Sequence, residues 1–177
     1  VKGYFRNRCH IASVQGVQRL SIPLRKGKNQ RLPIREVEIA YDEPWQSQHW
    51  TALQSAYGNS PFFDFFADEL EPFFRKKHQF LFELNWELLH LVGRFLRLKS
   101  ELRLTETYLH ELPPEALDFR GKILPKHPME DEHFFPVKYS QVFEDRLGFL
   151  PNLSILDLLF CTGNDAMDIL ERSFAKS

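Results

Sequence analysis

The chain has 177 residues, 43% hydrophobic and 27% charged, which bounds it to one ordinary globular domain with room for a substantial core. It has no apolar run long enough to span a membrane, no recognisable signal peptide and no nucleic-acid recognition motif. The net charge is −1, but residues 1–40 carry nine Lys/Arg against two Asp/Glu, so a basic N-terminal part meets an acidic remainder. That polarity suits an anionic ligand, or it is a solvated strand face.

Residues 8–14 and 17–24 read as a β-hairpin turning at Gln15-Gly16, with Leu20, Ile22 and Leu24 alternating on one face. Pro23 lacks an N–H, so its strand is an edge there or stops nearby. A basic loop follows at residues 25–31, and Ile34, Val37 and Ile39 suggest a third strand. Asp42-Glu43-Pro44 reads as the start of a helix carrying Trp45, His49, Trp50, Leu53 and Tyr57, ended by Gly58-Asn59. Ser60-Pro61 starts another, with Phe62, Phe66, Leu70 and Phe73 as its buried stripe and Pro72 as its breaker. The clearest periodicity predicts a helix from about His78 to Leu98, where leucines and Phe95 recur at spacings of three and four. A short strand is expected at 102–108, then a proline-rich irregular stretch at 110–136. Two helices close the chain, at about Ser154–Cys161 and Asp165–Phe174, separated by Gly163. The expected fold class is α/β in the mixed α+β sense, a small N-terminal β-sheet packed against a larger helical body, with residues 1–177 as a single domain.

Several landmarks are shared with a known group of bacterial proteins. They are Asn7-Arg8 before a strand, Ser21-Ile22-Pro23 at a strand end, Trp45 followed by His49, and Tyr57 before Ser60-Pro61-Phe62-Phe63. Further on come Asn85, Tyr139-Ser140-Gln141-Val142-Phe143, and Gly148-Phe149 leading to Asn152-Leu153-Ser154-Ile155-Leu156-Asp157. With these the chain resembles the WbqC-like protein family, and its closing segment is similar to the branch found in Bacteroidetes-type bacteria. The family pattern has a further N-terminal segment, and this chain begins at Val1, so a preceding piece is expected to be missing or cleaved. The resemblance implies a cytoplasmic protein of O-antigen or surface-polysaccharide biosynthesis. It implies a sugar or nucleotide-sugar-like ligand and an aminoacyl (glycyl) or other small acyl donor, with transfer of that group to the sugar. The alternative is a non-catalytic protein that holds a ligand or partner in the same cleft.

His49 stands one helical turn after Trp45 on the same face. An imidazole titrates near neutrality and suits a general base; otherwise His49 is a histidine held in an aromatic cluster. Asn7 and Arg8 together offer a donor–acceptor amide and a guanidinium fork for a phosphate, carboxylate or sugar, or Arg8 pairs structurally with an acid. Trp45, Tyr57, Gln141 and Asp157 complete the substrate-binding set that the resemblance implies. Asp157 lies in a wholly apolar helical stretch, so its carboxylate needs a partner, and Arg8 or His49 would serve. Adjacent strand positions face opposite ways, so Cys9 and His10 do not form a nucleophile–base pair. Cys9 and Cys161 are expected as free thiols. The histidines show no paired metal-ligand spacing, and no Walker loop, dinucleotide-binding glycine pattern or nucleophile elbow occurs, so neither a metal nor a cofactor is expected.

Overall fold

A computed structural model describes residues 5–25, 32–113, 115–120, 123 and 134–174. The basic loop at 26–31 and the acidic run at 129–133 lie outside the described residues. Strands β1 (Arg8–Ser13) and β2 (Gly16–Ser21) form a two-stranded antiparallel hairpin in which Arg8 faces Ser21, Cys9 faces Leu20 and His10 faces Arg19. The turn falls at Val14-Gln15, one residue earlier than expected, because Gly16 with φ +110° supplies the left-handed geometry at the first position of β2. The strand stops at Ser21, two residues before Pro23.

The expected third strand is corrected. Residues Ile34–Glu36 form a 3-10 turn, and Leu24 meets Ile39, and Glu38 meets Phe80, only through isolated bridges. Pro23 accounts for this. It has no N–H to continue a ladder, so the backbone pairing reduces to Ala40 N–H donating to the Pro23 carbonyl (2.9 Å) and Arg25 N–H to the Glu38 carbonyl (3.0 Å). The strand expected at 102–108 is also absent; that stretch is irregular and largely exposed, with no neighbouring strand to satisfy its backbone.

The helical body comprises α1 (Trp45–Tyr57), α2 (Phe63–Leu70), α3 (Leu81–Phe95), one-turn α4 (Glu144–Leu147), α5 (Ile155–Thr162) and α6 (Ala166–Arg172). The result is a mixed α+β fold, with the small N-terminal sheet against a larger set of helices. Ser60 does not cap α2; its hydroxyl donates to the Tyr57 carbonyl (2.7 Å), and α2 starts at Phe63. Pro72 converts the end of that helix into a 3-10 turn over Glu71–Phe74. Ser154 does cap α5, its hydroxyl accepting from Leu156 N–H.

Two apolar clusters form the core. The larger joins Ile11 and Leu20 of the hairpin to Leu53 and Tyr57 of α1, Phe66 and Leu70 of α2, Leu91 of α3 and Phe160 of α5. The smaller gathers Val37, Ile39, Trp45, Leu81 and Leu84. Phe63 and Phe66 both pack on Phe160, and a β-carbon at Gly163 would stand 2.5 Å from the Phe62 ring.

Candidate functional site

The hairpin organises the polar groups. Ile22 N–H donates to the Asn7 carbonyl (2.8 Å), so residues 7 and 22 are a hydrogen-bonded pair and the next pair, Arg8 with Ser21, is not. The Ser21 carbonyl therefore points away from β1. His49 on α1 lies by it, close enough for the Ser21 backbone to pull its pKa upward. The same alternation turns the His10 carbonyl and the Ala12 N–H outward from the other edge. Ser154 N–H donates to the former (2.7 Å), and the Tyr57 hydroxyl accepts from the latter (2.9 Å). Helix α1 thus crosses the hairpin, with His49 at the edge of β2 and Tyr57 at the edge of β1. The outward edge of β1 is thus partnered at His10 and Ala12.

His49 is half-buried, and its ring packs edge-on against Trp45 with centroids 5.2 Å apart. Burial lowers its pKa below 6.5, against the opposing pull of the Ser21 carbonyl. Near pH 7 the imidazole is neutral. A neutral imidazole keeps a lone pair on one ring nitrogen and can accept a proton there. Trp45 is buried beneath it, its indole N–H without a hydrogen-bond partner among the described residues. Asn7 closes the open end of the hairpin: its amide donates to the Ile22 carbonyl (2.9 Å) while its own carbonyl accepts from Ile22. Arg8 follows on the face opposite Cys9 and Leu20.

The other three sequence-predicted residues meet elsewhere. Asp157 is fully buried, and its carboxylate accepts from the Tyr57 hydroxyl (2.8 Å), the Tyr139 hydroxyl (2.7 Å) and the Gln141 amide (3.0 Å). Gln141 also clasps Leu150 through both amide atoms. The expectation that Arg8 or His49 would partner Asp157 is corrected: three neutral donors do so, from 16 to 100 residues away in sequence. Burial raises the Asp157 pKa above the usual carboxylate value, and the three hydrogen bonds pull it back. Burial and the neighbouring carboxylate raise Tyr57 and Tyr139, so both phenols stay protonated as donors.

Burial also pushes the Cys9 thiol up to about 11 and the Cys161 thiol up to about 12, so neither is a thiolate near neutrality. Both cysteines are free. Cys9 faces Leu20 and packs on the core, while His10 turns to the opposite face, edge-on to Phe5. Among the described residues no group of three or more His, Cys, Asp or Glu is placed to hold a metal, and no helix is long and apolar enough to cross a membrane. A cleft of about 450 Å³ lined by Tyr108, Leu112, Phe119 and Arg120 contains none of the sequence-predicted residues.

The model of the WbqC-like protein family matches residues 1–123, more than half of the chain. The chain belongs to the WbqC-like family. It is also similar to Uncharacterized protein Rv1507c of Mycobacterium tuberculosis, 28% identical over 190 residues, covering 94% of this chain and 81% of that protein. No solved structure matches it. The stretch matched by the WbqC-like model contains the hairpin, His49, Trp45 and Tyr57, whereas Tyr139, Gln141 and Asp157 lie beyond it. Within this WbqC-like chain, sequence reasoning missed the Ser21 backbone as a neighbour of His49 and the Ala12 N–H as the second partner of Tyr57. Both are backbone groups, so residue type carried no signal; only the strand register exposes them.

Proposed function

We propose that this WbqC-like protein is an enzyme of surface-polysaccharide biosynthesis that transfers a small acyl or aminoacyl group to a sugar, with His49 as general base. The observation that carries the reading is the His49 imidazole, neutral through burial, packed edge-on against Trp45 and lying by the Ser21 backbone at the end of the hairpin that bears Asn7 and Arg8. In this reading the free ring nitrogen takes the proton from an acceptor hydroxyl or amine as that atom attacks the acyl carbon. The donor's leaving group departs and collects the proton from the imidazolium. Arg8 holds the anionic part of the donor or acceptor. Trp45 supports the imidazole, and Tyr57, Gln141 and Asp157 hold α1 and α5 against β1, which fixes the position of the base.

The test is a turnover assay with nucleotide sugars as acceptors and glycyl or acyl donors, run beside thermal-shift binding. His49→Ala is expected to lower turnover by about 10²–10⁴-fold and to leave the ligand-induced rise in melting temperature in place. Unchanged turnover in His49→Ala removes His49 as the base. Saturable binding without turnover in the unaltered protein overturns the enzyme reading in favour of a ligand-holding protein.

A further inference from the structure

The C-terminal end of α3 is closed by an arginine where the backbone favours glycine. Leu98 N–H donates to the Gly93 carbonyl (2.9 Å) and Arg97 N–H to the Arg94 carbonyl (3.0 Å), the paired bonds of a Schellman stop. That stop puts residue 97 in the left-handed region, at φ +53°, where glycine or asparagine is the usual occupant. Strain of this kind persists where the side chain has a use. The Arg97 guanidinium reaches across to the 3-10 turn Gly163–Asp165 and donates to the Asn164 side-chain oxygen (3.3 Å), a neutral partner. Both residues line a cleft of about 370 Å³ between the end of α3 and α6. Its apolar wall includes Phe95, Leu98 and Met167, and its other charged groups are Lys99 and Glu171. Among the described residues no ion pair joins Glu171 to Arg97 or Lys99, so opposite charges line one cleft without closing on each other. A cation past the last turn also complements the helix dipole, but Lys99 supplies that charge without left-handed strain.

We infer that this cleft binds a small apolar α-amino acid as its zwitterion. The Arg97 fork takes the carboxylate, and the Asn164 contact holds the guanidinium in place for it. Lys99 adds a second positive charge. Glu171 takes the ammonium group, which the partial negative charge at the C-terminal end of α3 also attracts. Phe95, Leu98 and Met167 receive the side chain, the flexible thioether fitting itself to branched or aromatic shapes. Glu171 disfavours a lone anion, and Arg97 and Lys99 disfavour a lone cation. The cleft therefore selects a molecule that carries both charges beside an apolar group. Its volume stands at the low end of the range for small-molecule sites, which suits an amino acid better than a nucleotide. None of these residues belongs to the hairpin or to α1, so the inference stands apart from the proposed transfer reaction.

The experiment titrates leucine and phenylalanine into the full chain and follows the Met167 methyl signal by NMR, with the melting temperature read in parallel. Isocaproate, which lacks the amino group, and isoamylamine, which lacks the carboxylate, are the matched controls. Saturable movement at Met167 is expected with both amino acids, and binding about tenfold weaker or more with either control. Arg97→Gly is expected to weaken leucine binding about tenfold or more. The ligand-free Arg97→Gly protein should melt no lower than the parent, because glycine relieves the left-handed residue. Glu171→Gln, at an exposed position, is expected to weaken binding about tenfold and is the independent check on the cleft. No saturable movement at Met167 with millimolar leucine or phenylalanine overturns the site, as does isocaproate binding as tightly as leucine, or undiminished binding in Glu171→Gln. Leucine binding lost in His49→Ala but kept in Arg97→Gly places the ligand at the hairpin and also overturns it. Turnover that depends on His49 without any response at Met167 would leave the transferase reading standing and remove this inference. A response at Met167 without any turnover would do the reverse.

Discussion

Asp157 shows how much one buried residue can organise. Its two oxygens collect donors from the last residue of α1 and from the segment before α4, and through Tyr57 they reach the backbone of β1. A carboxylate in that position is expensive to desolvate, and only a full set of donors makes it tolerable. Removing it leaves two hydroxyls and an amide facing a void. Asp157→Ala should therefore lower stability by about 2–4 kcal/mol, with Asp157→Asn losing less because one acceptor oxygen remains. Urea midpoints of the two variants decide this; an Asp157→Ala protein as stable as the parent would show the network to be slack. The need for a partner was legible from the apolar run around Asp157. The partners were not, because nothing local in the sequence says which distant hydroxyls arrive there.

At the scale of elements, the helices follow their sequence signals closely, since a repeat of three and four is a local property. The leucine stripe gives α3, Gly58 ends α1, and Ser154 and Gly163 bracket α5. The strands were legible only where a turn closes them on themselves. The hairpin is present, but the stretches at 34–39 and 102–108 have strand-like composition without a ladder, because strand propensity is realised only against a partner. Gly163 joins α5 to α6 with φ +58° and lets the Phe62 ring lie against its backbone. Gly163→Ala combines left-handed strain with overlap on a packed ring and is expected to cost about 1–3 kcal/mol, read as a drop in melting temperature. An unchanged melting temperature would mean that the Phe62 ring yields freely at this junction.

For the whole molecule, the titrating groups set a pH range. His10 and His49 both have folded pKa values below 6.5, so between those values and 6.5 the unfolded chain binds more protons than the folded one. Their contribution to stability is full above 6.5 and is lost as pH falls through the folded values. Asp157 has the opposite sign: its pKa is raised above 3.8, so its contribution is present below 3.8 and lost as pH rises through the folded value. Urea midpoints should fall between pH 7.5 and 5.5, and a His10→Gln/His49→Gln double variant should flatten that slope. A slope unaltered by the double variant would place the acid sensitivity in other groups.

The sequence by itself determined the family, the mixed α+β class, the hairpin, the main helices and the pairing of Trp45 with His49, all of which depend on local pattern or shared landmarks. The tertiary structure decided that His49 lies by the Ser21 backbone, that Asp157 is held by Tyr57, Tyr139 and Gln141, and that no third strand joins the hairpin among the described residues. The reason is common to all three. Each depends on which backbone or hydroxyl group a remote segment brings alongside, and that is fixed by packing rather than by residue type.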